Sequence, residues 1–221
     1  MDEIKEQKKI FAKGLCFKKI FLFFVLGSLF GTFYEEIIFY FQYKEWTCRH
    51  DLLYGPFSTL YGLGMVLFLV IFGWKNEERG IVKTFLYASF IGGIFEYVAS
   101  FLLEFLLSIK FWDYSGLFLN LQGRTTIPYM LAWGFMGTLF LKVVYPFISK
   151  WIEKIPYGIG KIVYFVLLVF FVFDMFLSYT VFIRMIERNK GKEPKTFIGE
   201  VYDKYYDNDY MYEKFPILKG K

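Results

Sequence analysis

Histidine is almost missing from this chain, with His50 standing alone among 221 residues. A centre built from several imidazoles is therefore excluded, and no metal and no cofactor is expected. Cysteine is scarce as well. Cys16 and Cys48 are the only two, and the topology read below sets them on opposite sides of a bilayer, which leaves no intrachain disulfide. A G-x-x-x-x-G-K-[ST] loop is absent, so the chain does not itself hydrolyse nucleotide by that route. No G-x-S-x-G elbow or H-E-x-x-H pair marks a hydrolase. The apolar runs are long and lack two-residue alternation, which sets aside a β-barrel.

Apolar and aromatic residues are what the chain has in plenty: 56% hydrophobic and 24% aromatic, with a mean hydropathy of +0.39. Soluble domains are usually less apolar. Runs long enough to cross a bilayer define an all-α, polytopic transmembrane helical bundle in the plasma or inner membrane. Five spans are expected, over residues 20–42, 56–74, 82–107, 126–148 and 160–183, each covering roughly 30 Å at about 1.5 Å per residue. The first run follows a lysine-rich start, as in a signal peptide. It is too long for such a segment and no small-residue cleavage site follows, so it reads as a retained helix. The chain thus divides into a basic N-terminus (1–19), a transmembrane domain (20–183) and a polar, tyrosine-rich tail (184–221). The net charge of +5 does not imply nucleic acid, because much of it lies beside helix ends, where Lys and Arg set orientation.

That orientation follows from where the basic residues fall. Lys5, Lys8, Lys9, Lys13, Lys18 and Lys19 precede the first span, Lys75, Arg79 and Lys83 flank the second connection, and Lys142, Lys150, Lys154 and Lys161 flank the fourth. The first and third connections are poorer, with Lys44 and Arg49, then Lys110 and Arg124. The N-terminus is expected in the cytoplasm and the first and third connections outside. One conflict follows: five spans put the tail outside, yet it begins Arg184, Arg188, Lys190, Lys192. The tail has few aliphatic residues and cannot build its own core, which leaves disorder or docking on a partner.

Charges inside apolar spans are costly and persist where they face a partner, a cavity or a substrate. On the first span, Gly27 and Gly31 form a small-residue face suited to close helix approach. Glu35, one turn beyond Gly31, lies on that stripe and is read as the inward member of the pair Glu35-Glu36, roughly 10 Å below the outer surface. The second span opens Tyr54-Gly55-Pro56-Phe57, and its N-terminal dipole would favour an anion. Glu96 and Glu104 on the third span are a little over two turns apart and share a face. They serve either as ion-pair partners for Arg124 and Arg49 or as parts of a site. Trp112 and Tyr114 suit an interfacial aromatic belt, which leaves Asp113, Asn120 and Arg124 unexplained. Arg124 carries a rigid donor fork that matches carboxylate or phosphate, and a lipid phosphate is one candidate ligand. Trp133, Gly134 and Pro146 read as packing and kink features, and Asp174 as a deep carboxylate bonded to a neighbouring helix.

An ordered set of these residues carries a resemblance. Gly31-x-x-x-Glu35, Arg49 leading to Gly55-Pro56, Tyr61-Gly62-x-Gly64, Glu96-Tyr97, Glu104, Trp112-Asp113-Tyr114-Ser115, Asn120-x-x-Gly123-Arg124 and Trp133-Gly134 together resemble the putative ABC-transporter type IV family of bacterial membrane proteins. The resemblance covers residues 20–150 and leaves the fifth span and the tail outside. It implies a transport component, a permease-like subunit working with a separate ATPase. The expected site is an outward-facing group of Glu35, Arg49, Glu96, Glu104, Asp113, Asn120 and Arg124, holding a lipid or an anionic small molecule. Two other readings stay open. One is an intramembrane enzyme acting on a lipid or lipid-linked substrate, with carboxylates as acid and base and arginine on phosphate. The other is a non-catalytic scaffold or sensor whose tail recruits a partner.

Overall fold

The computed structural model describes residues 10–73 and 78–218; Lys5, Lys8, Lys9 and Lys75 of the orientation argument lie outside them. The chain is an all-α bundle. Helix α1 spans Phe17–Tyr43 and stops where Lys44 turns left-handed and returns its amide to Tyr40 O. Helix α2 spans Thr59–Phe72, and α3 spans Ile81–Leu107, stopped by a left-handed Ser108 bonded to Glu104 O. A short hairpin of β1 (Asn120–Leu121) and β2 (Thr125–Thr126) leads into α4 (Ile127–Leu139), which Thr126 caps. A π-helical segment (Phe140–Val144) joins α4 to α5 (Tyr145–Glu153). Helix α6 runs Tyr157–Asn189. The tail then forms α7 (Phe197–Tyr205), α8 (Asn208–Lys214) and a 3₁₀ turn over Pro216–Leu218.

Among the described residues, four helical stretches are long and apolar enough to cross a membrane: Phe17–Tyr43, Ile81–Leu107, Ile127–Glu153 and Tyr157–Asn189. The second expected span is the exception. Helix α2 has 14 residues, about 21 Å of rise, against about 30 Å of hydrocarbon. Pro56, Phe57 and Ser58, expected inside it, are not helical. The Ser58 amide donates to Ser28 O at 2.9 Å, which fixes the start of α2 against the N-terminal half of α1 rather than at its far end. A Cβ on Gly62 would collide with Ser28 Oγ and lie 2.8 Å from Phe24 O, so only glycine lets the two backbones approach this closely.

Connection 44–58 therefore descends into the bundle as irregular backbone. Such backbone is tolerated at membrane depth only when protein satisfies its polar groups. Helix α6 does this. The Leu53 amide donates to Ser178 Oγ at 2.8 Å and the Tyr54 amide to Asp174 Oδ1 at 3.2 Å. Asp174 is fully buried, and its partner is this descending backbone rather than another helix.

The fourth span runs further than expected, to Glu153. Pro146 has no amide to donate and crowds the carbonyl one turn back. The chain meets this with the π-helical turn at Phe140–Val144, a usual way of relieving such a ladder. Trp133 fills the centre of the bundle. Its ring stacks on Tyr61 with centroids 5.6 Å apart and meets Phe95 and Phe68 edge-on.

The two ends of the bundle are distinct. At one, Ile10 bridges Pro156, and Lys19, only 1% exposed, donates to Ser149 and pairs with Glu153. At the other, Met211, Phe215 and Leu218 of the tail pack on Val181, Phe182 and Met185 of α6 and on Leu53, with Ile109 and Phe111 beside them. The tail thus shares a core with α6, a surface that composition alone does not reveal. It lies at the same end as connections 44–58 and 108–119. Its basic start is tied down: Arg184 grips Asp203 through Nε and Nη2 at 2.9 and 2.6 Å, and Arg188 Nη1 reaches the same carboxylate at 2.6 Å.

Candidate functional site

The tail end holds a cavity of about 690 Å³. Glu35, Arg49, Asp51, Glu96 and Asp113 line it, with Tyr61, Tyr114, Tyr129, Trp133 and Tyr179 as its aromatic walls. Of the seven expected site residues, Glu35, Arg49, Glu96 and Asp113 meet here. Glu104, Asn120 and Arg124 do not line it.

Glu35 comes from α1 and its carboxylate pairs with Arg49 Nε at 3.3 Å. Glu96 comes from α3 and is 5% exposed. Its oxygens accept from two neutral donors, Thr125 Oγ1 at 2.7 Å and Tyr114 OH at 3.1 Å. The Tyr114 ring lies flat on Tyr129, centroids 4.4 Å apart. Asp113 sits at the exposed rim. Ser115, through its hydroxyl and amide, and Lys110, at 3.0 Å, hold its carboxyl down at about 2.

Asp51 was not marked by any spacing in the sequence. Its Oδ2 accepts the Thr59 amide at 2.7 Å and the Thr59 hydroxyl at 2.8 Å, and Thr59 Oγ1 in turn meets Tyr179 OH at 3.2 Å. The N-terminus of α2, expected to attract an anion, is therefore filled by the chain's own carboxylate. Asp51 Oδ1 is buried and has no hydrogen-bond partner among the described residues. Glu36 was also passed over as the outward member of its pair, yet it is buried and accepts the Arg49 amide at 3.4 Å. The stripe argument orders two adjacent side chains only when one of them faces lipid. Here the returning connection covers both.

Arg124 lies on the flank of α3, beside the cavity lining. Its Nη2 pairs with Glu104 at 2.6 Å and its Nη1 donates to Ser100 at 3.3 Å. The guanidinium also sits over the rings of Phe101 and Tyr97, 5.6 and 5.9 Å from their centroids. Two of the fork's nitrogens are thus spent on α3, while Nε is buried with no hydrogen-bond partner among the described residues. Asn120 fastens the turn before it, donating to Ser115 O and Leu117 O and accepting the Gly123 amide. The space beside Gly123 is occupied by Asp113, Ser115 and Lys110.

Bundle and cavity together define a multi-pass helical membrane protein with one short helix and a carboxylate-lined chamber at one end. The chain belongs to the putative ABC-transporter type IV family, whose profile matches residues 22–179. The match extends past residue 150 and takes in much of α6, which the sequence resemblance left outside. That extension has a structural counterpart, since Asp174 and Ser178 of α6 hold the chamber's descending backbone. No curated protein and no solved structure matches the chain.

Proposed function

We propose that this chain is the membrane component of a transporter in the cell membrane, driven by a separate ATPase, and that its chamber receives a cationic, partly apolar substrate from outside. The N-terminal end is then cytoplasmic, as the lysine and arginine pattern asks, and the chamber opens outward. A broken helix meeting irregular backbone near the middle of a membrane is a common setting for a transport site. Membership of the family supports the transport reading and the ATPase partner.

The charge of the substrate rests on one observation. The chamber lining carries Glu35, Asp51 and Glu96 against Arg49, and Arg49 is already paired with Glu35. Walls of low dielectric concentrate this field. The rings of Tyr61, Tyr114, Tyr129 and Trp133 offer faces that attract an ammonium group. An anionic ligand, expected from the sequence, would have to compete with Glu35 for Arg49 and with Glu104 for Arg124.

The test uses the full chain in lipid nanodiscs and two probes with the same alkyl tail, an alkyltrimethylammonium and an alkyl phosphate. The ammonium probe is expected to raise the melting temperature, and Glu96→Gln to weaken its binding. Preferential binding of the phosphate overturns the charge assignment. Co-purification of an ATPase subunit supports the transport reading, whereas turnover of a lipid substrate by the chain alone moves it to the intramembrane enzymes.

A further inference from the structure

Three side chains of metal-ligand type meet where connection 44–58 folds back over α1. A Glu36 carboxylate oxygen, the Cys48 sulfur and a ring nitrogen of His50 all lie within 4.8 Å of one another. The local chain direction explains the meeting. Arg49 sends its side chain to Glu35, while its neighbours Cys48 and His50 turn toward Glu36, the alternation of an extended chain. The Arg49 amide, bonded to Glu36 Oε1, anchors the segment on the helix.

Two observations at this cluster concern unspent ligand capacity. His50 Nε2 is buried and has no hydrogen-bond partner among the described residues. Glu36 is 7% exposed, and among the described residues no cation pairs with it. A divalent cation here would neutralise Glu36 and take a ring nitrogen of His50 as a ligand.

We propose that Glu36, Cys48 and His50 form a binding site for Zn²⁺, with three protein ligands and a fourth position open to solvent. Sulfur, imidazole and carboxylate together suit zinc and related borderline cations and disfavour magnesium or calcium, which take oxygen ligands. Ligand bonds of about 2.0–2.3 Å give tetrahedral edges of roughly 3.3–3.8 Å, so side-chain rotations of about an ångström close the site. Cys48 is exposed and supplies the entry route. Binding converts its thiol to a thiolate and releases that proton to solvent. The ring of His50 meets Phe215 of the tail at 5.5 Å, so the ion joins α1, connection 44–58 and the tail's anchoring aromatic into one unit.

The full chain in nanodiscs, stripped with chelator, is titrated with Co²⁺ as a spectroscopic substitute for zinc. One equivalent is expected to bind, with a near-ultraviolet thiolate-to-cobalt band and tetrahedral visible absorption, and one equivalent of Zn²⁺ to displace it. Cys48→Ser should abolish the near-ultraviolet band and Cys16→Ser should leave it. Because Cys48 is exposed, its replacement by serine disturbs no buried packing. His50→Ala should weaken affinity by at least about tenfold, a loss that even outer-shell partners of a metal cause. Absence of a stoichiometric band, or a band that survives Cys48→Ser, overturns the proposal.

Discussion

Asp51 caps α2 from eight residues away, accepting both the amide and the hydroxyl of Thr59. A carboxylate on the free amides of a helix start stabilises that start, by about 1 kcal/mol in typical cases. Asp51→Ala is expected to lower stability by about 0.5–2 kcal/mol, read from thermal melts in nanodiscs. Asp51→Asn retains an acceptor oxygen and should lose less. Equal stability of all three proteins would show that the cap contributes nothing.

Gly62 is expected to tolerate no side chain. A Cβ there would meet Ser28 Oγ and the Phe24 backbone, and helix backbone cannot yield as a flexible side chain does. Gly62→Ala should cost about 1–3 kcal/mol, the usual penalty of overpacking. Gly158→Ala, at a helical position of α6 where nothing lies within 4 Å, is the matched control. The comparison is read from melting temperature and from the fraction of monodisperse protein after extraction.

Arg124 is a test of structural against ligand-binding roles. Its guanidinium serves Glu104, Ser100 and two aromatic faces. Arg124→Lys keeps a charge for Glu104 but loses the planar stacking and the fork. We expect a stability loss of up to about 1 kcal/mol, as for a partly exposed pair, and unchanged affinity for the ammonium probe. A large loss of probe affinity in a protein that melts normally would return Arg124 to the binding site.

Docking of the tail should weaken in acid. Arg184 and then Arg188, by hydrogen bonds and charge, hold the Asp203 carboxyl below its ordinary value. A carboxylate whose folded value is depressed contributes its stabilisation above the unfolded value, about 3.9, and loses it as pH falls through the folded one. Protection of α7 and α8 against hydrogen exchange, taken relative to intrinsic rates at each pH, should therefore fall below about pH 4. Asp203→Asn should lower it already at neutral pH and flatten the acid dependence. Exchange that is equally slow in the variant would mean that the apolar contacts of Met211, Phe215 and Leu218 hold the tail unaided.

The membrane orientation can be read with the native cysteines. Cys48 is exposed at the tail end, while Cys16 lies at the start of α1 beside the N-terminal end. A membrane-impermeant maleimide added to intact cells should label Cys48 and leave Cys16 unmodified. The reverse pattern would turn the chamber toward the cytoplasm.

Much of the bundle was legible in the sequence because span length is a property of one segment at a time. Helices α1, α2 and α3 all lie within three residues of the expected bounds. What the expectation missed in α2 is that it falls short of a full span, since an apolar run records that a segment is apolar but not at what depth it begins. That depth is set by Ser58 on Ser28 and Asp51 on Thr59, contacts with no signature in local pattern. Glu35 and Glu96 could be found because a charge in an apolar run is conspicuous. Asp51 could not, sitting in a polar connection where acids are ordinary. Arg124 was placed at the correct end, but its choice of Glu104 over the chamber depends on which face of α3 the β-hairpin returns to. The tail's core was hidden because its apolar residues are few and complete a surface on α6.

The shortness of α2 has an electrical consequence. With the tail end outward, a cation resting beside Asp51 has about 21 Å of helix beneath it instead of the full 30 Å or so of hydrocarbon, and so has already crossed about a third of the membrane's voltage drop. At about 2.3 kcal/mol per elementary charge per 100 mV, an inside-negative potential then favours occupancy by roughly 0.7 kcal/mol per 100 mV, close to threefold in affinity. On the proposed reading, the chamber would fill more fully in energised cells than in depolarised ones.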